Sequence, residues 1–261
     1  MIRLVASDLD LTMVPEGTFD LNPEYYDVIR ALRRRGILFA AASGRHYTSI
    51  VKLMHPVKDE IAYLGGNGSC VVLDGELIES FEIRMQTYQE LLQQMRVYEP
   101  KIIVTDHPDC VYSDTEDEEM FQWMLNGYRV DLRRCRDLSK IEAPVVKTAM
   151  YVRSAPDPCA DALRERFGGE LNIMPAGGHW VDIVSKKTDK GIALETIQKR
   201  LGILPSETIA FGDNDNDIGM LTRSGRGYAV ANARDKVKAA ADEVIGPMEE
   251  DSVLKVLKEL L

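Results

Sequence analysis

Two carboxylates, Asp8 and Asp10, arrive where the apolar run Ile2-Arg3-Leu4-Val5-Ala6-Ser7 breaks off into Asp8-Leu9-Asp10-Leu11-Thr12. A carboxylate at the end of a strand can serve as a nucleophile and as a ligand for a hard cation, while a neighbour two positions on can pass protons. Asp is equally at home in an ordinary strand-to-loop turn, so the pair acquires meaning from what joins it. Ser43-Gly44-Arg45 follows a second apolar run, Ile37 to Ala42, and offers a hydroxyl and exposed amides where a helix begins, an anion site. Gly212-Asp213-Asn214-Asp215-Asn216-Asp217 follows a third run, Thr208 to Phe211.

Asp213, Asp215 and Asp217 have the one-three-five spacing of a calcium loop, but that loop needs Gly sixth and Glu twelfth, where this chain has Ile218 and Ser224. A magnesium site needs only one or two carboxylates, with water and phosphate oxygens completing the octahedron, and Asp8 with Asp213 suits it. An Asn/Asp turn capping the helix that starts near Asn216 is compatible with that role. Lys190 begins a helix, where the dipole disfavours a cation; a phosphate and several carboxylates in front of it would reverse that preference. Lys186 and Lys187 are rivals for the same task. Asn67 in Gly65-Gly66-Asn67-Gly68 reads first as a turn residue tolerating positive φ and second as a substrate contact.

The elements that must position these residues alternate. Continuous apolar runs at 2–7, 37–42, 61–64 and 208–211 read as strands covered on both faces, and the helical stretches between them imply crossovers and a mostly parallel sheet. In such a sheet the loops at the carboxyl ends of the strands emerge on one edge, so Asp8, Asp10, Ser43 and 213–217 can converge. Val71 to Ile78 carries the Asp74-Gly75 signal of a hairpin. The rhythm changes near Ile83: amphipathic helices at about 86–99, 116–126 and 157–167 alternate with short strands near 101–114, 145–153, 171–174 and 179–184. That reads as an inserted α+β domain over 83–185, with the first rhythm resuming at 186, so 1–82 and 186–261 form one core. Two helix-containing units laid over strands that keep one polar face are expected there.

Composition sets limits. The chain has 261 residues, 45% hydrophobic and 28% charged, the balance of a soluble globular protein with room for a large core and a smaller domain. A formal net charge of -10 argues against binding a phosphate backbone, and requires local positive charge for any small anionic substrate. No apolar stretch approaches the roughly 20 residues of a membrane span, and the start of the sequence shows no signal-peptide pattern, so the expected compartment is the cytoplasm, with neither nucleic acid nor membrane as a partner. Cys70, Cys110, Cys135 and Cys159 form no C-x-x-C pair and are expected to be reduced; His46, His55, His107 and His179 show no ligand spacing.

In this order, Asp8-Leu9-Asp10-Leu11-Thr12, Ser43-Gly44-Arg45, Lys190-Gly191 and 212–217 resemble the four motifs of the haloacid dehalogenase-like hydrolases, and the insert is similar to the α+β cap of their sugar-phosphatase, Cof-type branch. The resemblance implies a Rossmann-like, mostly parallel core with an inserted cap, and a magnesium-dependent phosphatase that passes through an aspartyl-phosphate. It implies Asp8 as nucleophile and metal ligand, and Asp10 as acid and base with its backbone carbonyl on magnesium. Ser43 and Gly44 would hold the phosphoryl oxygens, Lys190 would orient Asp8, Asp213 would ligate the metal, and Asn216 and Asp217 would support phosphate and metal. Leu11 departs from the pattern, since the family has Gly there. The implied partner is a small phosphorylated metabolite, a sugar phosphate first, met by a monomer or weak homodimer. A phosphomutase or phosphotransferase, and a metabolite-binding protein without catalysis, are the alternatives. The cap residues that would touch the organic part are expected among His107, Trp123, His179 and Trp180.

Overall fold

The computed structural model describes residues 1–142, 144–176 and 178–261. Its chain divides into two compact units, Met1–Glu79 with Asp189–Leu261, and Ser80–Thr188. The second unit thus begins three residues before Ile83 and ends three residues after Ser185, the bounds read from the sequence.

In the first unit, β1 (Leu4–Asp8) is buried along its whole length, and so is β2 (Leu38–Ala42). Between them α1 (Glu24–Arg34) buries Tyr25, Val28, Ile29 and Leu32, one stripe at helical spacing, and Gly36 at φ +78° turns the chain back toward β2. α2 (Tyr47–Leu53) leads to β3 (Ala62–Gly65), then β4 (Cys70–Leu73) and β5 (Glu76–Ser80). Asp74 and Gly75 both take positive φ, +50° and +78°, as the tight turn between β4 and β5 requires.

In the second unit, α3 (Met85–Val97), β6 (Ile102–His107), β7 (Cys110–Ser113), α4 (Glu118–Gly127), β8 (Leu132–Arg134), β9 (Lys147–Tyr151), α5 (Asp157–Phe167), β10 (Leu171–Ala176) and β11 (Trp180–Ser185) build a sheet in the order β10-β11-β9-β6-β7-β8. Its pairs are antiparallel except β7 with β8, which are parallel and joined through α4. The sequence reading omits β8, a three-residue edge strand with only Leu132 buried and two exposed arginines after it. Both faces carry apolar clusters rather than one. Ile103, Met150, Val181 and Ile183 cluster with Tyr88 and Leu92 of α3 and Leu163 of α5, while Ile102, Val104, Ala149 and Trp180 cluster with Phe121 and Met124 of α4.

The first unit resumes with α6 (Lys190–Leu201), β12 (Thr208–Gly212), α7 (Ile218–Thr222), β13 (Arg226–Ala229), α8 (Asp235–Ala240), β14 (Glu243–Val244) and α9 (Ser252–Glu259). Its sheet runs β14-β13-β12-β1-β2-β3-β4-β5, parallel from β14 through β3 and antiparallel between β3 and β4. β1 lies between β2 and β12, so successive connections leave it in opposite directions and the crevice of an open α/β sheet opens at its carboxyl end. The register sets Asp8 beside Ala42 and Ser7 beside Phe211, so Ser43 and Asp213 begin their loops level with Asp8. The fold is α/β with a Rossmann-like parallel core and an inserted α+β domain. Among the described residues no helix is long and apolar enough to cross a membrane.

Candidate active site

Asp8 is the last residue of β1 and is buried. Lys190, the first residue of α6, reaches it from the other side of the crevice: Nζ lies 2.5 Å from Asp8 Oδ1 and 2.6 Å from Asp217 Oδ1, and the lysine is 1% exposed. Asp189 caps α6 by accepting Ile192 N–H at 3.0 Å, which satisfies the helix start that a lysine alone would leave unsupported. Gly191 is needed for the approach, since a Cβ there would stand 2.1 Å from Gly219 O of α7. Lys186 and Lys187 are exposed, and Lys186 Nζ donates to Gly168 O at 2.5 Å within the second unit.

The loop after β12 folds back on itself. Asp217 Oδ2 accepts the backbone N–H groups of Asp213 and Asn214, each at 3.0 Å, and Gly212 leaves room for it, since a Cβ there would lie 2.4 Å from Asp217 Cβ. Asp217 thus has one oxygen on Lys190 and the other on two amides; it braces the loop and the lysine, where the family pattern implies metal support. Asp213 faces Asp8, with Thr12 Oγ1 donating to its Oδ1 at 3.1 Å. One oxygen each of Asp8, Asp213 and Asp217 lie within 4.8 Å of one another, and Asp8 Oδ2 is buried without a partner.

The electrostatics follow from this crowding. Burial pushes the Asp8 carboxyl well above its ordinary range against the pull of Lys190, and Asp217 and Asp213 add to the push. Burial and Asp217 raise Asp213 to about 6, opposed by Lys190 and the Thr12 hydrogen bond. Burial alone would lower the Lys190 ammonium, but Asp217 and Asp8 more than reverse it, so the lysine stays charged. One cation among three carboxylates leaves a deficit of positive charge, and an oxygen-ligand divalent cation such as magnesium fits both that deficit and the bare Asp8 Oδ2.

On the β2 side, Ser43 is buried; its Oγ accepts Arg45 N–H at 3.1 Å and donates a long hydrogen bond, 3.4 Å, to Asp10 Oδ2. Gly44 lies against Asn67, whose Oδ1 would be 3.0 Å from a Cβ at that position. Asn67 has φ +62°, as a turn residue tolerating positive φ would, and its Oδ1 also accepts Asn216 Nδ2–H at 2.8 Å. Asn216 Oδ1 is buried without a partner. Asp10 is turned toward Arg45, whose role the sequence reading leaves open although it quotes the residue. The sequence reading quotes Thr12 and Asn214 without giving them a role and omits Asn232, which donates to Leu11 O at 2.7 Å. Asn232 carries no local signal at all, because it comes from the loop after β13.

Away from this site, His107, Asp109 and Cys110 at the β6–β7 turn also bring donor atoms within 4.8 Å of one another. Asp109 is already hydrogen-bonded to His107, and the neighbouring Arg133 opposes a further cation. His46 is buried and caps α2, its Nδ1 accepting Thr48 N–H at 3.2 Å. All four cysteines are free.

Residues 5–257 match the family of haloacid dehalogenase-like hydrolases. The chain belongs to that family, and within it is a phosphatase of the Cof type. It is 24% identical over 261 residues to the 5-amino-6-(5-phospho-D-ribitylamino)uracil phosphatase of Escherichia coli, covering 100% of this chain and 96% of that one. The HMP-PP phosphatase of Cronobacter sakazakii is 25% identical over 92% of this chain and 88% of its own length. A crystal structure from Eubacterium rectale, 30% identical, superposes with a TM-score of 0.90 over 100% of this chain and 99% of that one.

Proposed function

We propose that the protein hydrolyses phosphomonoesters of small metabolites, with magnesium and through an aspartyl-phosphate on Asp8. The observation that carries this reading is the state of Asp8: one oxygen is oriented by a buried lysine, and the other is bare among carboxylates at the sheet's switch point. An oxygen of Asp8 attacks phosphorus while the bond to the leaving oxygen breaks, and Asp10 gives that oxygen its proton. Water then attacks the same phosphorus, Asp10 takes the proton, and the bond to Asp8 breaks to release phosphate. Ser43 Oγ, the Gly44 amide and Lys190 Nζ are the donors for the equatorial oxygens, whose charge must be met as transfer proceeds. Asp8 and Asp213, with the Asp10 carbonyl, would hold magnesium, which when bound supplies the positive charge these carboxylates lack. Asp217 acts behind Lys190, and Asn216 with Asn67 shapes the edge of the phosphate site.

Selection among organic groups is assigned to the second unit, since the first holds only what every phosphomonoester shares. Trp123, Tyr128, Tyr151 and Trp180 gather there, Trp123 and Trp180 nearly parallel at 6.3 Å and Trp180 Nε1 donating to Tyr128 Oη at 2.9 Å. Trp123 is 41% exposed although it lies on a helix, so it is more than core. Such rings suit the face of a sugar or a heterocycle, and the Escherichia coli relative is named for a phosphorylated ribitylamino-uracil.

The experiment is phosphate release from a panel of sugar phosphates and other phosphorylated metabolites with magnesium and no acceptor sugar, for the wild type and Asp8→Asn. The wild type should release phosphate, lose activity reversibly to a chelator and carry a covalent phosphoryl label after rapid quench; Asp8→Asn should fold and show none of these. Activity that appears only when an acceptor sugar is added would make the protein a phosphotransferase. Substantial activity in Asp8→Asn would sink the covalent mechanism.

A further inference from the structure

Arg45 stands two residues past Ser43, yet its side chain serves Asp10. Nε donates to Asp10 Oδ2 at 2.8 Å and Nη2 to Oδ1 at 2.5 Å, a two-pronged pair in which Arg45 is 10% exposed and Asp10 25%. Gly17 N–H reaches Oδ1 at 2.9 Å, and Ser43 Oγ completes the set with its 3.4 Å contact to Oδ2. The guanidinium has supports of its own. Nη2 also donates to Thr18 O at 2.7 Å, and the guanidinium carbon lies 5.0 Å from the centre of the Phe19 ring. Arg45 therefore keeps its place whatever Asp10 does, while the plane of the Asp10 carboxylate is set by Arg45.

A carboxylate offers about four lone-pair directions, and four donors take them here. A leaving oxygen or a water can meet Asp10 only when one donor lets go. Ser43 Oγ is the longest and weakest of the four, and it is the donor that an arriving phosphoryl oxygen would claim. Its departure opens one edge of Oδ2, next to the phosphate, while the other three donors hold the carboxylate still.

We propose that Arg45 is the positioning residue for Asp10, fixing the carboxylate plane so that the Oδ2 edge released by Ser43 faces the leaving oxygen and then the water. This rests on the acid–base assignment of Asp10 made above. Arg45 then acts on the reaction only through Asp10.

The test is a double-mutant cycle of Arg45→Gln and Asp10→Asn, read in single-turnover hydrolysis of an alkyl phosphate and of 4-nitrophenyl phosphate. Arg45→Gln should slow the alkyl ester about tenfold or more and the aryl ester, whose leaving group needs little proton assistance, by no more than about threefold. In the Asp10→Asn background Arg45→Gln should add no further loss, because the two residues act as one unit. Arg45→Lys keeps the charge but not the fork, so it should recover only part of the lost rate, and it carries the same test if Arg45→Gln does not fold. Additive losses, or equal slowing of both esters by the Arg45 variants, overturn the proposal. A leaving-group response that stays flat in Asp10→Asn itself overturns the acid–base assignment instead, which separates the two failures.

Discussion

Each unit of the molecule buries one lysine against carboxylates, and the two arrangements are closed to different degrees. Lys147, the first residue of β9, lies 2.6 Å from Asp182 Oδ2 of β11, with Asp106 of β6 beside it on the neighbouring strand. Lys190 lies between Asp8 and Asp217 at a strand end and a helix start, with Asp213 close by. Burial pushes both ammoniums down and their carboxylate partners carry both back up. Among the described residues the buried side-chain atoms without a partner are Asp8 Oδ2, Thr188 Oγ1 and Asn216 Oδ1, and none belongs to the Lys147 group. A sheet interior can satisfy a charge completely because the register fixes every neighbour; converging loop ends leave one oxygen bare, and that oxygen is what chemistry can use.

The sharpest way to break this comparison is to remove each lysine in turn. Lys190→Met and Lys147→Met each leave carboxylates buried without a cation, which costs about 3–5 kcal/mol where the pair is fully buried. Both should therefore lower stability in denaturant unfolding. Lys190→Met should also abolish phosphate release, while Lys147→Met, assayed where it is folded, should keep most of its activity on a small aryl phosphate and change its ranking of larger substrates. If Lys147→Met lost aryl phosphatase activity as completely as Lys190→Met, the division between a reactive and a structural lysine would fail.

A second test uses the excess negative charge around Lys190. Asp213 is raised to about 6 in the folded protein, whereas an unfolded carboxylate titrates at about 3.9. Between those values the folded state holds more protons than the unfolded, so stability in chelator falls as pH rises from about 4 to about 6 and stays lower above that. Asp213→Asn should lessen this fall, leaving the part that Asp8 contributes, and so raise stability by about 1–3 kcal/mol at pH near 8 with no gain near pH 3, and should abolish magnesium-dependent turnover. Thermal unfolding of wild type and variant across pH, in chelator, measures it; parallel curves would show that Asp213 is not strained by its neighbours.

The contrast also explains what could be read from the chain directly. Strand ends announce themselves: an unbroken apolar run stopping at Asp8, Ser43 or Asp213 gives both the element and the direction of the loop, and a parallel sheet brings those loops together without further information. Lys190 could be singled out because a cation at a helix start is locally wrong. Lys147, Asp106 and Asp182 could not, since their meeting depends on the register of three strands distant in sequence. The same limit hid the partner of Arg45, whose side-chain direction is set by tertiary placement, and β8, whose two arginines look like loop. The division of work within 212–217 was also out of reach. Spacing marks Asp213 and Asp217 alike, and only the fold-back over Gly212 shows that Asp217 is occupied by amides and lysine.

The smallest expected effect belongs to Leu11, which stands where the family has Gly. With an ordinary backbone there, Leu11→Gly would lower stability through added chain entropy. Leu11 instead adopts φ +61°, the left-handed region, where a side chain costs about 1–2 kcal/mol. Gly relieves that cost and gives back about 0.5–1 kcal/mol in chain entropy, so the sign reverses and Leu11→Gly should stabilise the protein by up to about 1.5 kcal/mol. The loop path itself is held by backbone, with Leu11 N–H donating to Val14 O at 2.7 Å and Leu11 O accepting Asn232 Nδ2–H at 2.7 Å. Either residue can follow that path, so turnover should stay within about twofold of wild type, against the tenfold that each 1.4 kcal/mol of barrier would give. A clear fall in unfolding midpoint would show that the half-buried Leu11 side chain contributes more by packing than its backbone strain takes away, and a large gain in rate would show that the Asp8 to Thr12 loop is held out of its working shape by that same strain.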